Sequence, residues 1–211
     1  MKKRKTYLYS SAIFIILFGF GLLLNDTASN SSTEEKYTPG VYTIHDLAVE
    51  DTQTNHMIKI GMTKEDVTNL LGKETEIQYH HVYNFNGLRV YFKDNKVAAI
   101  MIDASENITN RYKTTRGVGL GTELSKVLER YGEEEVRNEF DNYFVTYMMG
   151  NQKGKKLIQT DKSDVDAYFS YIQHPDQIYL ISFAFFDNDH RTLWSVMISD
   201  YMTSSSMMDD I

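Results

Sequence analysis

The stretch "IGMTKEDVTNLLG" at Ile60–Gly72 decides the fold, because the chain repeats its pattern as "LGTELSKVLERYG" at Leu120–Gly132. Each phrase has a glycine in second place, a glycine at its end and an amphipathic run between them. In the first copy Val67, Leu70 and Leu71 are spaced i, i+3 and i+4, which places them on one face of a helix. Both phrases therefore predict a short helix with one apolar side.

The ends of these helices can also be predicted. Thr63 and Asp66 have the spacing of a capping box, in which each residue satisfies a backbone N–H of the other. A glycine adopts the left-handed conformation that ends a helix at little conformational cost. We therefore predict helices over 63–71 and 122–131.

Strand patterns follow each predicted helix. Large side chains alternate in "IQYHHVYNF", and "NYFVTYMM" gives a strand in the second copy. Asn86 and Gly87 predict a tight hairpin turn, since both residues tolerate positive φ. The strands "LRVYF" and "VAAIMI" are echoed by "YLISFAFF" and "TLWSVMI". Each copy thus predicts one helix followed by antiparallel strands.

One copy alone has too small a core to fold well, but two copies can join their strands. We therefore predict an α+β fold in which two tandem helix-plus-antiparallel-strand repeats form one sheet with the helices on one face, preceded by one N-terminal transmembrane helix. Tyr37–Met57 either adds a strand or packs on the domain. The predicted segments are a cytoplasmic basic segment 1–6, a transmembrane anchor or signal segment 7–24, a tether and pre-domain segment 25–57, repeat 1 at 58–103, a connector 104–115, repeat 2 at 116–200 with an insertion 150–177, and a flexible tail 201–211.

The N-terminus carries the signal for localisation. Four basic residues at 2–5 precede Tyr7–Leu24, which has no charge over 18 residues. A helix of that length is about 27 Å long and just spans a bilayer core. The basic end should stay in the cytoplasm, which predicts a single-pass protein of the cell membrane with its C-terminal domain outside. The apolar run 12–24 also has the length of a signal-peptide core, so secretion after cleavage is the alternative.

Composition excludes several classes of function. The chain has no cysteine, which rules out disulfides and thiolate metal sites. Its net charge is −7, and without the four cations at 2–5 it is about −11. An acidic exported domain is a poor ligand for nucleic acid, so we expect no nucleic-acid partner.

The phrases "IGMTKEDVTNLLGKETEIQ" and "YNFNGLRVYFKDNKVAAIMI" resemble the repeat of the beta-lactamase-inhibitor-protein-like fold and of small SmpA/OmlA-type envelope lipoproteins. Together with "RGVGLGTELSKVLERYG", they are also similar to the N-terminal domains associated with CAP domains in Bacillus-type bacteria. The resemblance implies a non-catalytic module that binds other proteins, often through its sheet. The chain lacks a lipobox cysteine, and no contact residue of these families can be matched one by one.

Candidates for catalysis are weak. His190 lies in "DNDHR" beside Asp187 and Asp189, where carboxylates and an imidazole can hold a cation. The same residues are those that a solvated hairpin needs. We predict no enzyme, no catalytic residue, no metal and no cofactor. The expected function is binding of a protein or cell-envelope component. The alternatives are an inhibitor of an extracellular enzyme, and a hydrolase or metal-dependent enzyme that uses the loops near His190.

The candidate binding face rests on aromatic residues of the strands. Alternation places one aromatic set of each repeat on a single sheet face, which is either the core or the open face. In the first case the open face carries Thr, Asn, Lys and Glu. In the second case the open set binds the partner, because tyrosine offers a large contact area with a polar tip. The candidate residues are Tyr79, His81, Tyr83, Tyr143 and Tyr147.

Overall fold

The computed structural model describes residues 37–78, 82–104, 110–139, 141–151, 156–159, 177–188 and 190–204. The predicted segments 1–6 and 7–24 lie outside these residues, as does most of the predicted insertion. The strands are β1 (Tyr42–Thr43), β2 (Ala48–Asp51), β3 (His56–Lys59), β4 (Glu76–Gln78), β5 (Val82–Phe85), β6 (Leu88–Lys93), β7 (Lys96–Asp103), β8 (Tyr112–Thr114), β9 (Arg137–Glu139), β10 (Asn142–Asn151), β11 (Lys156–Gln159), β12 (Ile178–Phe186) and β13 (Leu193–Asp200). The helices are α1 (Lys64–Leu71) and α2 (Leu124–Tyr131), with a 3-10 turn at Ile44–Asp46.

The strands form two antiparallel sheets. The large sheet has ten strands in the order β1-β11-β10-β12-β13-β7-β6-β5-β4, with β9 also paired to β10. The small sheet has the order β3-β2-β8. Its strands come from the predicted pre-domain segment, the start of repeat 1 and the predicted connector.

The predicted fold class is wrong. Strands dominate the described chain, and they form two sheets instead of one. Each helix has only eight residues, so it covers part of a much larger sheet. Within the described residues, no helix combines the length and the apolarity needed to cross a bilayer. The predicted tail also begins with a helical turn at 201–204, in which Thr203 and Ser204 are buried.

The helix of each repeat is tied to the last hairpin of that repeat by matching hydrogen bonds. The N–H of Gly61 donates to the carbonyl of Val97 over 2.8 Å, and the N–H of Gly121 donates to the carbonyl of Leu193 over 2.8 Å. Both glycines have positive φ, of 86° and 79°. Each glycine lies just before the helix of its repeat, and its positive φ lets the chain turn sharply there.

The two repeats meet where β7 pairs with β13. Met101 lies opposite Met197 in this antiparallel pair. Each methionine lies four residues after the residue whose carbonyl accepts the glycine N–H of its repeat, Val97 or Leu193. Corresponding strands thus face each other at the corresponding residue. An approximate two-fold axis near the methionine pair therefore relates the strands of the two repeats.

The first helix has the N-terminal cap that the sequence predicts, whereas the second helix has no side-chain cap. The side chain of Thr63 accepts from the N–H of Asp66 at 3.1 Å, which confirms the predicted capping box. The second helix begins after Glu123, whose side chain makes no capping bond. Gly72 and Gly132 end the helices with φ of 85° and 102°, as predicted.

The hairpin between β5 and β6 has the predicted turn. Gly87 has φ of 94°, and its N–H donates to the side-chain oxygen of Asn84 over 2.7 Å. A β-branched residue is poorly tolerated at positive φ. We therefore expect Gly87→Val to lower the free energy of unfolding by about 1 kcal/mol or more, measured by urea denaturation. An unchanged midpoint would contradict this role of the turn.

An ion pair ties β2 to the start of β8. Arg111 donates to both carboxylate oxygens of Asp51 at 2.9 and 2.6 Å, and the Asp51 side chain is fully buried. The hydrogen bond from Arg111 is the main cause that lowers the pKa of Asp51 from 3.8 to about 2. The pair therefore stabilises the fold fully above pH 3.8, and this stabilisation is lost as the pH falls towards 2.

The variant Arg111→Met tests this linkage. We expect its melting temperature to lie below that of the wild type at pH 7, because Asp51 then stays buried without its cation. The gap should narrow as the pH falls from about 4 to 2, where Asp51 takes up a proton in both proteins. A gap that stays constant over this range would show that Arg111 acts through packing alone.

Candidate functional site

The two faces of the large sheet differ in what covers them. On β6, Leu88, Val90 and Phe92 are buried, whereas Arg89 and Tyr91 between them are half-buried. The buried set belongs to the same hydrophobic core as Val67 of α1 and other residues of both helices. We call this side of the sheet the inner face, and the side that bears Arg89 and Tyr91 the outer face.

Three of the five predicted contact residues lie on the inner face. Tyr147 is fully buried, and its hydroxyl donates to the carbonyl of Gly132 at 2.6 Å. Tyr83 and Tyr143 are half-buried against the core. A cation lies over each of their rings, Lys64 at 3.6 Å from the centroid of Tyr83 and Arg191 at 3.9 Å from that of Tyr143. Tyr79 and His81 lie outside the described residues.

The predicted contact residues that the structure describes therefore lie on the inner face, which packs against the helices. Tyr147 has no exposed surface to offer a partner, and the exposed parts of Tyr83 and Tyr143 lie beside Lys64 and Arg191. Along each strand, the side chains at the positions between these residues point to the opposite face of the sheet. They form the outer face, which the sequence analysis did not single out.

The outer face is rich in methionine and aromatic side chains. Met101 and Met197 are half-buried at its centre, where the two repeats meet. Arg89 lies beside this pair, with its Nη1 4.0 Å from the sulfur of Met101 and 3.5 Å from a carboxylate oxygen of Asp103. In the register of the strands, the outer face consists of Val82, Asn84, Arg89, Tyr91, Ala99, Met101, Asp103, Phe144, Thr146, Met148, Leu180, Ser182, Ala184, Phe186, Ser195, Met197 and Ser199. Trp194 lies at an irregularity in the pairing of β12 with β13, and its ring contacts Phe186 of this face.

The two halves of the outer face differ in chemistry. The half built by repeat 1 carries the Arg89–Asp103 ion pair. At the corresponding positions, repeat 2 has the small residues Ser182 and Ser199. The face is therefore charged on one side and apolar with hydroxyl groups on the other.

The apolar half has one exposed aromatic corner. Phe186 is 48% exposed, and its ring centroid lies 6.0 Å from that of Trp194. The indole N–H of Trp194 and the hydroxyl of Ser199 are buried and have no hydrogen-bond partner within the described chain. Each such group costs about 1–3 kcal/mol, which apolar side chains at the same positions would avoid. Unsatisfied groups of this kind are uncommon in native structures.

The loop of His190 forms a different feature, a groove of about 470 Å³ beside α2. Its lining consists of Glu123, Leu124, Ser125, Leu128, His190 and Arg191. The imidazole of His190 is 73% exposed and lies 3.7 Å from Glu123. Among the described residues, no three His, Asp or Glu side chains are placed to hold one metal ion. Asp189 of the predicted acidic cluster lies outside those residues.

In comparisons with known proteins, no family model, no curated protein and no solved structure matches this chain.

Proposed function

We propose that the protein is a non-catalytic binding module that recognises a protein or cell-envelope component through the outer face of its large sheet. The observation that carries this proposal is the group of partly exposed methionine and aromatic side chains about Met101 and Met197. Methionine adapts its shape to irregular surfaces, and aromatic residues, Met and Arg are enriched in protein interfaces. The Arg89–Asp103 pair at the side of the cluster would orient the partner.

The proposed place of action is the outer side of the cell membrane. It rests on the basic and apolar residues at 2–24, either as an anchor or as a cleaved signal. The resemblance to the beta-lactamase-inhibitor-protein-like and SmpA/OmlA-like modules gives the same expectation of binding through a sheet. Inhibition of an extracellular enzyme would be one form of this binding.

A catalytic role at the His190 groove has less support. The imidazole and the Glu123 carboxylate stand largely in solvent, where water competes with every polar interaction. A catalytic site normally lies in a concave pocket that excludes most of this water. The groove lacks such enclosure, and we therefore place the function on the outer face.

The outer face can be tested by photo-crosslinking in native membranes. A photoreactive phenylalanine analogue replaces Tyr91 or Phe144 in the full chain, and a third variant carries it at Lys126. Lys126 is an exposed residue of α2 and serves as the control. We expect a distinct crosslinked adduct from Tyr91 and Phe144 and none from Lys126. The same adducts from all three positions would contradict the proposal.

The double variant Tyr91→Ala/Phe144→Ala then measures the importance of the face. We expect capture of the crosslinked partner to weaken at least about tenfold, as for residues at the centre of an interface. The melting temperature should fall by a few degrees, because both side chains are half-buried, but the variant should still melt cooperatively above the temperature of the capture assay. Full capture by this folded variant would rule out these two residues as contacts.

A further inference from the structure

The first described residues form a strap, residues 37–46, that crosses the end of α2 at the edge of the large sheet. Its strand β1 pairs with β11, with Tyr42 opposite Leu157. Only two of its side chains, Tyr42 and Asp46, are buried, and the others are exposed. These two buried side chains are spaced four positions apart. The exposed Tyr37 adds to the attachment, since its hydroxyl donates to the carbonyl of Thr115 and its ring centroid lies 5.3 Å from the guanidinium carbon of Arg116.

Arg116 receives the carboxylate of the strap. Its guanidinium donates to the two oxygens of Asp46 at 2.6 and 3.1 Å, and to the carbonyl of Val41 at 2.6 Å. A further bond of 2.7 Å to the carbonyl of Arg130 holds it at the last turn of α2. The Arg116 side chain is only 1% exposed. A cation this deeply buried requires an anion, and the strap supplies it.

An aromatic site beside Arg116 receives the ring of Tyr42. The ring centroid lies 4.9 Å from the guanidinium carbon, 6.5 Å from the ring of Tyr131 and 5.8 Å from that of Tyr147. The Tyr42 hydroxyl donates to the carbonyl of Tyr131 at 2.6 Å. Burial raises the pKa of Tyr42 well above its usual value, which keeps this hydroxyl protonated as a donor.

The backbone of the strap also packs closely against the end of α2. The N–H of Gly40 donates to the carbonyl of Tyr131 over 2.9 Å. Gly132 lies directly beneath, and a Cβ added to it would come within 2.9 Å of the Gly40 nitrogen. We call the combination of Arg116, Tyr131, Gly132, Tyr147 and the edge of β11 the seat of the strap. It recognises a tyrosine, a carboxylate four positions later and the backbone near them.

We propose that the seat is a peptide-binding site that the chain fills with its own strap, and that the strap of a second copy of this chain can take its place. A second copy carries the same Tyr42 and Asp46 at the same spacing. β1 has only two residues, so lifting the strap breaks few strand hydrogen bonds and frees the edge of β11 for an incoming strand. The resident strap is the default occupant, because its attachment gives it a high effective concentration.

The test uses the full chain with its seat vacated by Tyr42→Ala/Asp46→Ala. The probe is a fluorescein-labelled peptide with the sequence of residues 37–46, and binding is followed by fluorescence anisotropy. We expect saturable binding to this variant. The wild-type chain should bind at least about tenfold more weakly, because its own strap competes.

A peptide carrying Asp46→Asn provides the matched control. It should bind the vacated chain at least about tenfold more weakly, since it lacks the charge that Arg116 recognises. Equal binding of the two peptides, or no saturable binding by a vacated chain that melts cooperatively, would overturn the proposal. If the double variant does not melt cooperatively, Asp46→Ala replaces it. If the single variant does not melt cooperatively either, the peptide is titrated in excess against the wild-type chain. We then expect saturable binding, and its absence overturns the proposal.

Discussion

Replacing Arg116 by methionine should lower the free energy of unfolding by about 3–5 kcal/mol, because Asp46 is then left buried without its cation. Asp46 is 2% exposed and both of its oxygens accept bonds from the guanidinium. The variant also loses the donors to the carbonyls of Val41 and Arg130. Chemical denaturation at pH 7 measures the loss.

Two further variants separate the causes. Adding Asp46→Leu to Arg116→Met removes the uncompensated charge, so the double variant should be more stable than the single one. Lys126→Met removes a cation from an exposed ion pair whose side chains are 58% and 64% exposed. It should lower the free energy of unfolding far less than Arg116→Met does, because solvent screens such pairs. A double variant less stable than Arg116→Met would show that the guanidinium acts mainly through its backbone contacts.

Replacing Phe183 by alanine should cost about 3–5 kcal/mol, the range for a large aromatic side chain removed from a core. Phe183 is fully buried, and its ring centroid lies 4.9 Å from that of Tyr131 and 6.1 Å from that of Tyr147. The cavity would open at the centre of the aromatic cluster that also supports the strap. Thermal and urea denaturation both report this change.

Phe186→Ala is the matched control for that variant. It removes the same side chain from the same strand, but Phe186 is 48% exposed on the outer face. Its replacement should cost no more than about 1 kcal/mol, chiefly through the contact with Trp194. Similar losses for the two alanine variants would show that the outer face is packed as tightly as the inner one.

The local parts of the fold could be predicted from the sequence because short-range chemistry decides them. The predicted helices 63–71 and 122–131 differ from α1 and α2 by one or two residues at their starts. The capping box of Thr63 and the positive φ of Gly87 follow from neighbouring residues alone. Hydrophobic spacing and turn chemistry act over a few positions and leave few alternatives.

The small sheet could not be predicted from such signals. Its strands read "AVED", "HMIK" and "YKT", which are too short and too mixed to show alternation. Pairing of β2 with β8 joins residues about 60 positions apart, and no local pattern reports it. The fold class was missed for this reason.

The outer face was missed because alternation defines two sets of side chains without saying which set the helices cover. On β10 both sets contain large apolar residues: Tyr143, Val145 and Tyr147 alternate with Phe144, Thr146 and Met148. The seat of the strap was missed because its central residue is a charged side chain in a glycine-rich turn. A buried arginine can be recognised only when its distant partner, here Asp46, is known.

The antiparallel contact of β7 with β13 has a consequence for the kinetics of folding. The hairpins inside each repeat are local, whereas this contact joins residues roughly 90 to 100 positions apart. Closing so long a loop costs entropy before any contact compensates for it. We therefore expect the two halves to form early and their union to limit the rate, so that the transition state already contains native-like hairpins but not the methionine pair between them.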